Sequence, residues 1–219
     1  MIALVPSRPM SLPSDPDLLL LLGMRLKNFV EADVLAAMWG FAPADTEARL
    51  AALAERGLAT HRDGRVSGWA LTAEGRTEGE RRLGDELDHT GTRGEIDAAY
   101  RRFLGLNREF LSVCTRWQVK DPEANVLNEH DDAAYDADVV DELAGIDRRV
   151  QPICADLASY LARFAAIGPR FTAALAKVQA GENEWFAKPL IDSYHTVWFD
   201  LHETLLASLG IDRSSEGAH

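Results

Sequence analysis

Between positions 192 and 203 the chain concentrates side chains able to bind ligands or do chemistry: Asp192, Tyr194, His195, Trp198, His202 and Glu203. On a helix, His195, Trp198 and His202 fall on one stripe, the arrangement of a face that lines a ligand. A metal ion fits poorly, because seven residues of helix set the two histidines about 10.5 Å apart, too far for one ion without further ligands. Asp192 and His195 have the i, i+3 spacing of half a carboxylate-bridged dimetal site, and no second half of Glu-x-x-His type within residues 93–210 completes it. Asn107 and Trp117 join the candidate ligand-binding residues. Asn107 interrupts an apolar seam, either to fix register or to present an amide to a cavity, and Trp117 is either core or pocket wall. The run Glu129-His130-Asp131-Asp132 reads as a solvated acidic connection. Walker, dinucleotide-glycine, Cys-x-x-Cys, His-Glu-x-x-His and nucleophile-elbow motifs are all missing from the sequence. The expectation is a non-enzyme with no catalytic residue, no metal and no cofactor.

The elements that must position these residues follow from periodicity. Residues 1–14 hold Pro6, Pro9 and Pro13 without an apolar period and are expected to be a flexible arm. Asp15-Pro16 opens a helix to about Leu26. A second helix fits Glu31 to Trp39, burying Val34, Leu35 and Met38 and stopping at Gly40. A third fits Pro43 to Arg56 and stops at Gly57. Leu58 to His61 and Val66 to Leu71 then read as two strands around Arg62-Asp63-Gly64-Arg65, a turn signal. Thr72 caps a further helix.

After Thr90 to Gly94 the pattern is purely helical. Ile96, Tyr100, Phe103, Asn107, Phe110, Cys114 and Trp117 recur in steps of four and three. So do Val139, Leu143, Ile146, Val150, Ile153, Leu157, Tyr160, Phe164 and Ile167. Matching seams predict near-parallel or antiparallel packing, within one chain or across a dimer. Pro152 should kink or split the second helix, and Gly168-Pro169 should end it. Further helices fit Arg170 to Ala180 and Leu190 to Leu209, and residues 211–219 read as a disordered tail. Cys114 and Cys154, 40 positions apart, are expected to be free, buried thiols.

The fold class is therefore mainly α: a winged helix-turn-helix over 15–90 with a small β-hairpin wing, followed by an all-α helical bundle over 93–210. The order helix, helix, turn, helix, hairpin, helix is what the first requires, with Ala36 four residues before Gly40 letting two helices cross closely. Two motifs, Leu53-Ala54-Glu55-Arg56-Gly57-Leu58 and Trp69-Ala70-Leu71-Thr72-Ala73-Glu74-Gly75-Arg76, resemble the MarR and PadR type of bacterial transcription regulators over roughly residues 17–90. The resemblance implies a homodimer that docks one recognition helix per subunit in the DNA major groove, with wing-tip arginines on phosphate or minor groove. On it, Thr46, Glu47, Arg49, Arg62 and Arg65 become the candidate DNA-binding residues.

Composition pulls the other way. The net charge is −12, with 10 basic against 14 acidic residues in positions 1–90 and 13 against 21 in the rest. Phosphate contacts need concentrated Lys and Arg. With Leu50 and Leu53 facing the core, the third helix turns Glu47, Ala48, Ala51 and Ala52 outward, with Arg49 at the edge, and Glu and Ala read bases poorly. The first expectation is a DNA-binding regulator whose helical domain dimerises and takes a small-molecule effector. Its rival is a winged helix that binds a protein partner instead; a helical ligand- or metal-dependent enzyme stands third. The longest apolar run, Leu18 to Leu22 with Gly23 and Met24, is short of the roughly 20 residues of a membrane span. With no signal-like start, the expected setting is cytoplasmic, with no membrane partner.

Overall fold

The computed structural model describes residues 11–64, 67–121, 123–124 and 126–212. Most of the expected arm (1–10), most of the tail (213–219) and Arg65 lie outside these residues. The protein is mainly helical, with two small antiparallel hairpins. Among the described residues, 12–94 with 203–212 form one compact unit, and Ser11 with 95–202 a second.

In the first unit, α1 (Pro16–Lys27) starts where Asp15 accepts the Leu18 N–H at 3.0 Å, with Pro16 at the first helical position. Its leucine run is buried around the helix. Leu20, Leu21 and Met24 join a core with Leu35, Leu50, Leu53 and Trp69, while Leu18, Leu22 and Leu26 join Leu83 and Ala207. A helix that is apolar all round must be enclosed on two sides, and α1 is. Helix α2 (Ala32–Trp39) ends at left-handed Gly40, and α3 (Pro43–Glu55) follows. Val34 was expected in the core and is instead exposed, because the short α2 buries Ala32, Leu35 and Ala36 and position 34 lies off that stripe. Met38 is only half-buried.

Strands β1 (Ala59–Arg62) and β2 (Gly68–Leu71) pair antiparallel, Ala59 opposite Leu71. Val30, between α1 and α2, adds one further rung, exchanging both backbone hydrogen bonds with Trp69 at 3.0 and 2.7 Å. Helix α4 (Ala73–Thr90) is capped by Thr72, whose hydroxyl accepts from Gly75 N–H at 2.9 Å and donates to the Gly57 carbonyl at 2.7 Å.

The second unit begins with α5 (Arg93–Gln118), which buries every apolar residue of the expected seam and leaves Asn107 half-buried. It continues into β3 (Val119–Asp121), which pairs with β4 (Val126–Leu127). This hairpin corrects the purely helical expectation. The residues on β4 are too few to show an alternating period. Helix α6 (Ala133–Tyr160) runs through Pro152 without a break. Position 152 is exposed, so the proline ring and the carbonyl it leaves unbonded sit on the wet side of the helix, while Val150, Ile153 and Leu157 keep the buried seam. The chain turns at extended Leu161 and a 3₁₀ turn, Ala162–Phe164, so Gly168-Pro169 opens α7 (Ile167–Gln179) rather than closing α6. A short α8 (Glu184–Ala187) precedes α9 (Tyr194–Leu209), which begins four residues later than expected because Leu190 takes a left-handed backbone, φ 67°.

Within this chain α5 and α6 run antiparallel. Arg102 meets Asp156 at 2.9 Å, Glu109 meets Arg149 and Arg116 meets Glu142, so each step of seven up α5 is a step of seven down α6. Each exposed pair contributes only about 0.2–1 kcal/mol; the spacing shows a heptad seam between the two helices.

Candidate interaction face and aromatic cluster

The outer surface of α3 is set by its own period. Leu50 and Leu53 are fully buried, which leaves Ala44, Asp45, Glu47, Ala48, Ala51, Ala52 and Glu55 exposed. Thr46, expected to offer a hydroxyl to DNA, is fully buried, and its Oγ1 donates back to the Ala42 carbonyl at 3.1 Å, a bond open to any helical threonine. Arg49 does reach solvent, and its guanidinium lies 2.8 Å from Asp17 of α1, with Arg56 of the following turn 3.6 Å from the same carboxylate. Helix α3 itself adds three exposed carboxylates to that of Asp17: Asp45, Glu47 and Glu55. Arg62, at the end of β1, is exposed and in no ion pair among the described residues. Beside it His61 packs on Trp69, ring centroids 4.8 Å apart, with Asp63 and Ser67 at 3.3 and 3.4 Å from the imidazole.

In the helical unit the aromatic candidates come together pairwise. Trp198 is buried, stacks on Phe110 at 4.1 Å, and donates its Nε1–H to Asn107 Oδ1 at 2.9 Å, so Asn107 satisfies a buried indole. His202 is buried against Tyr100 and Phe103. His195 is exposed over much of its surface yet stacks on Phe110, and partial desolvation holds its pKa below the usual imidazole range. Trp117 stands apart from these, stacked on Phe186 at 4.3 Å and packed at a tilt against His130 at 4.4 Å. Asp192 is engaged elsewhere, in the Nε–Nη2 fork of Arg170, whose Nη2 also donates to buried Asp200 at 2.6 Å. Burial alone would lower the pKa of Arg170; the two carboxylates outweigh it and raise it. Among the described residues no group of three or more His, Cys, Asp or Glu is placed to hold a metal ion.

Two polar arrangements escaped the sequence reading. The supposed solvated connection before α6 is built: Asn128 is buried, donating to the Trp117 carbonyl at 3.1 Å and to Asp136 at 2.8 Å, while His130 Nδ1 lies 3.0 Å from Asp136. His130 takes φ 58°, a left-handed conformation that its backbone N–H bond to Asn128 Oδ1 supports. Asp132 caps α6 through the Tyr135 N–H. Tyr194 Oη bonds Asp147 at 3.1 Å, and burial, then Asp147, pushes its pKa up. Only the Asp132 cap had a local signal, an Asp just before a helical period.

Cys114 and Cys154 are free and buried, and burial raises both thiols to about 12. No helix among the described residues is long and apolar enough to cross a membrane. No protein-family model matches the chain, and no curated protein or solved structure matches it either.

Proposed function

We propose that residues 15–90 are a winged-helix module that works by contacting a protein through α3 rather than by reading DNA bases. The winged-helix reading is supported by the element order, by the Val30–Trp69 rung that sets a third strand beside the hairpin, and by the Thr72 cap that joins hairpin to α4. The observation that carries the choice of partner is the outer surface of α3. Alanines offer a base edge no donor or acceptor, and carboxylates repel phosphate. The two arginines share Asp17. The helical unit is then the scaffold that carries the module.

A second reading, a DNA-binding transcription regulator of MarR or PadR type, acting as a homodimer with a small-molecule effector, is favoured by Arg62, an exposed cation at the hairpin end. Fluorescence anisotropy with the DNA upstream of its own gene and a scrambled duplex, at several salt concentrations, separates the two. The protein-contact reading gives no preference between duplexes. Sequence-preferring binding with a steep salt slope, weakened by Arg62→Ala, would overturn it in favour of the regulator.

A further inference from the structure

We propose that the first unit carries a binding site for a small zwitterion, an α-amino acid or a compound with the same adjacent ammonium and carboxylate. The inference is independent of what α3 contacts. A half-enclosed cavity of about 550 Å³ lies where α1, α4, the end of α9 and residues 210–212 meet, a size suited to a small ligand. Its largely buried Arg25 is already clamped, by Glu80 and by Glu203 at 2.8 Å, so that charge is taken up inside the wall. Arg76 is not: it is exposed, lines the cavity and is in no ion pair among the described residues. Its planar fork suits a carboxylate. Glu80 stands one helical turn further along α4, about 6 Å on, with one oxygen on Arg25 and its side chain 42% exposed. A carboxylate has acceptor capacity beyond one partner, enough for an ammonium group.

The lining charge argues for a ligand of both signs. A simple anion would enter among three carboxylates, Glu80, Glu203 and Asp212, and a simple cation would meet two guanidiniums. A zwitterion sets its carboxylate on Arg76 and its ammonium on Glu80, leaving Leu206 and Ile211 as an apolar wall for a side chain.

The test is thermal unfolding of the full chain with each of the twenty L-amino acids at about 10 mM. Controls are, for each responder, the acid lacking the amine and the amine lacking the acid. At ten times Kd a bound ligand raises Tm by about 3–6 °C. The expected result is a rise with a subset of amino acids, absent with either control compound, lost in Arg76→Ala, reduced in Arg76→Lys and kept in Arg62→Ala. No rise with any amino acid, an equal rise with the amine-free acid, or a rise that survives Arg76→Ala would each overturn the site.

Discussion

Gly75→Ala should destabilise the N-terminal unit although it places the best helix former inside a helix. A Cβ at position 75 would lie 1.8 Å from the Leu58 carbonyl oxygen and 2.8 Å from its carbon. Ordinary contact begins near 3.4 Å, so α4 would have to retreat from the start of the hairpin by about 1.5 Å, and the opposing atoms are backbone that no rotamer can clear. The retreat would also strain the Thr72 cap, with its bonds to Gly57 and Gly75. Overpacking of about 1–3 kcal/mol, plus about 1 kcal/mol for the cap, less about 1 kcal/mol of helix propensity, leaves a net loss of about 1–3 kcal/mol. Gly79→Ala is the internal control, one turn along the same helix. Its Cβ would meet Leu21 Cβ at 3.5 Å, an ordinary contact, so propensity should prevail and the variant gain about 0.5–1 kcal/mol. Urea unfolding followed by far-UV circular dichroism measures both. Equal stability of the two variants, or a stabilised Gly75→Ala, would refute the close docking of α4 on the residue that leads into β1.

Asn107→Ala should cost about 2 kcal/mol by leaving the buried Trp198 N–H without its acceptor, and Trp198→Phe in an Asn107→Leu background should recover part of it; a purely additive double-mutant cycle would contradict this. Cys114 and Cys154, raised to about 12 by burial, should resist a thiol reagent at pH 8 until the protein unfolds, and stoichiometric labelling of the native chain would contradict their burial. Because the folded state holds the His195 pKa below its unfolded value of about 6.5, the unfolded chain binds more protons in that window. Its contribution is complete above the unfolded pKa and falls as pH drops through the folded one, so between pH 7 and 5 His195→Gln should lose less stability than wild type; parallel curves would count against it.

Local periodicity carried much of the fold into the sequence. The seam from Ile96 to Trp117 is buried in α5 as its spacing requires, and Asp15, Thr72 and Gly40 mark helix ends at the positions their side chains or backbone favour. Pro152 misled because its effect depends on which face of the helix it occupies, a tertiary fact. The outer face of α3 was legible in part: its alanines and acids follow from the helical period, but Asp17, the partner that occupies Arg49, lies 32 positions away in sequence. Thr46 turned inward because its hydroxyl finds an acceptor one turn back, which lets a polar residue sit in the core. Asn107 could be read as register or as pocket until Trp198, 91 positions on, supplied the buried donor. The Asn128–His130–Asp136 cluster left no periodic trace, being a loop held by side-chain bonds to the end of α5 and the start of α6.

The protein contact proposed for α3 is most directly tested by placing a photoreactive residue at Ala51, on its outward face, and irradiating the full chain in extract of its own host, with and without nuclease. The expected result is a discrete, nuclease-resistant adduct to one protein, missing when the same probe sits at Arg81, an exposed position of α4. An adduct that nuclease removes, with no protein cross-link at Ala51, would contradict protein contact and place nucleic acid on α3.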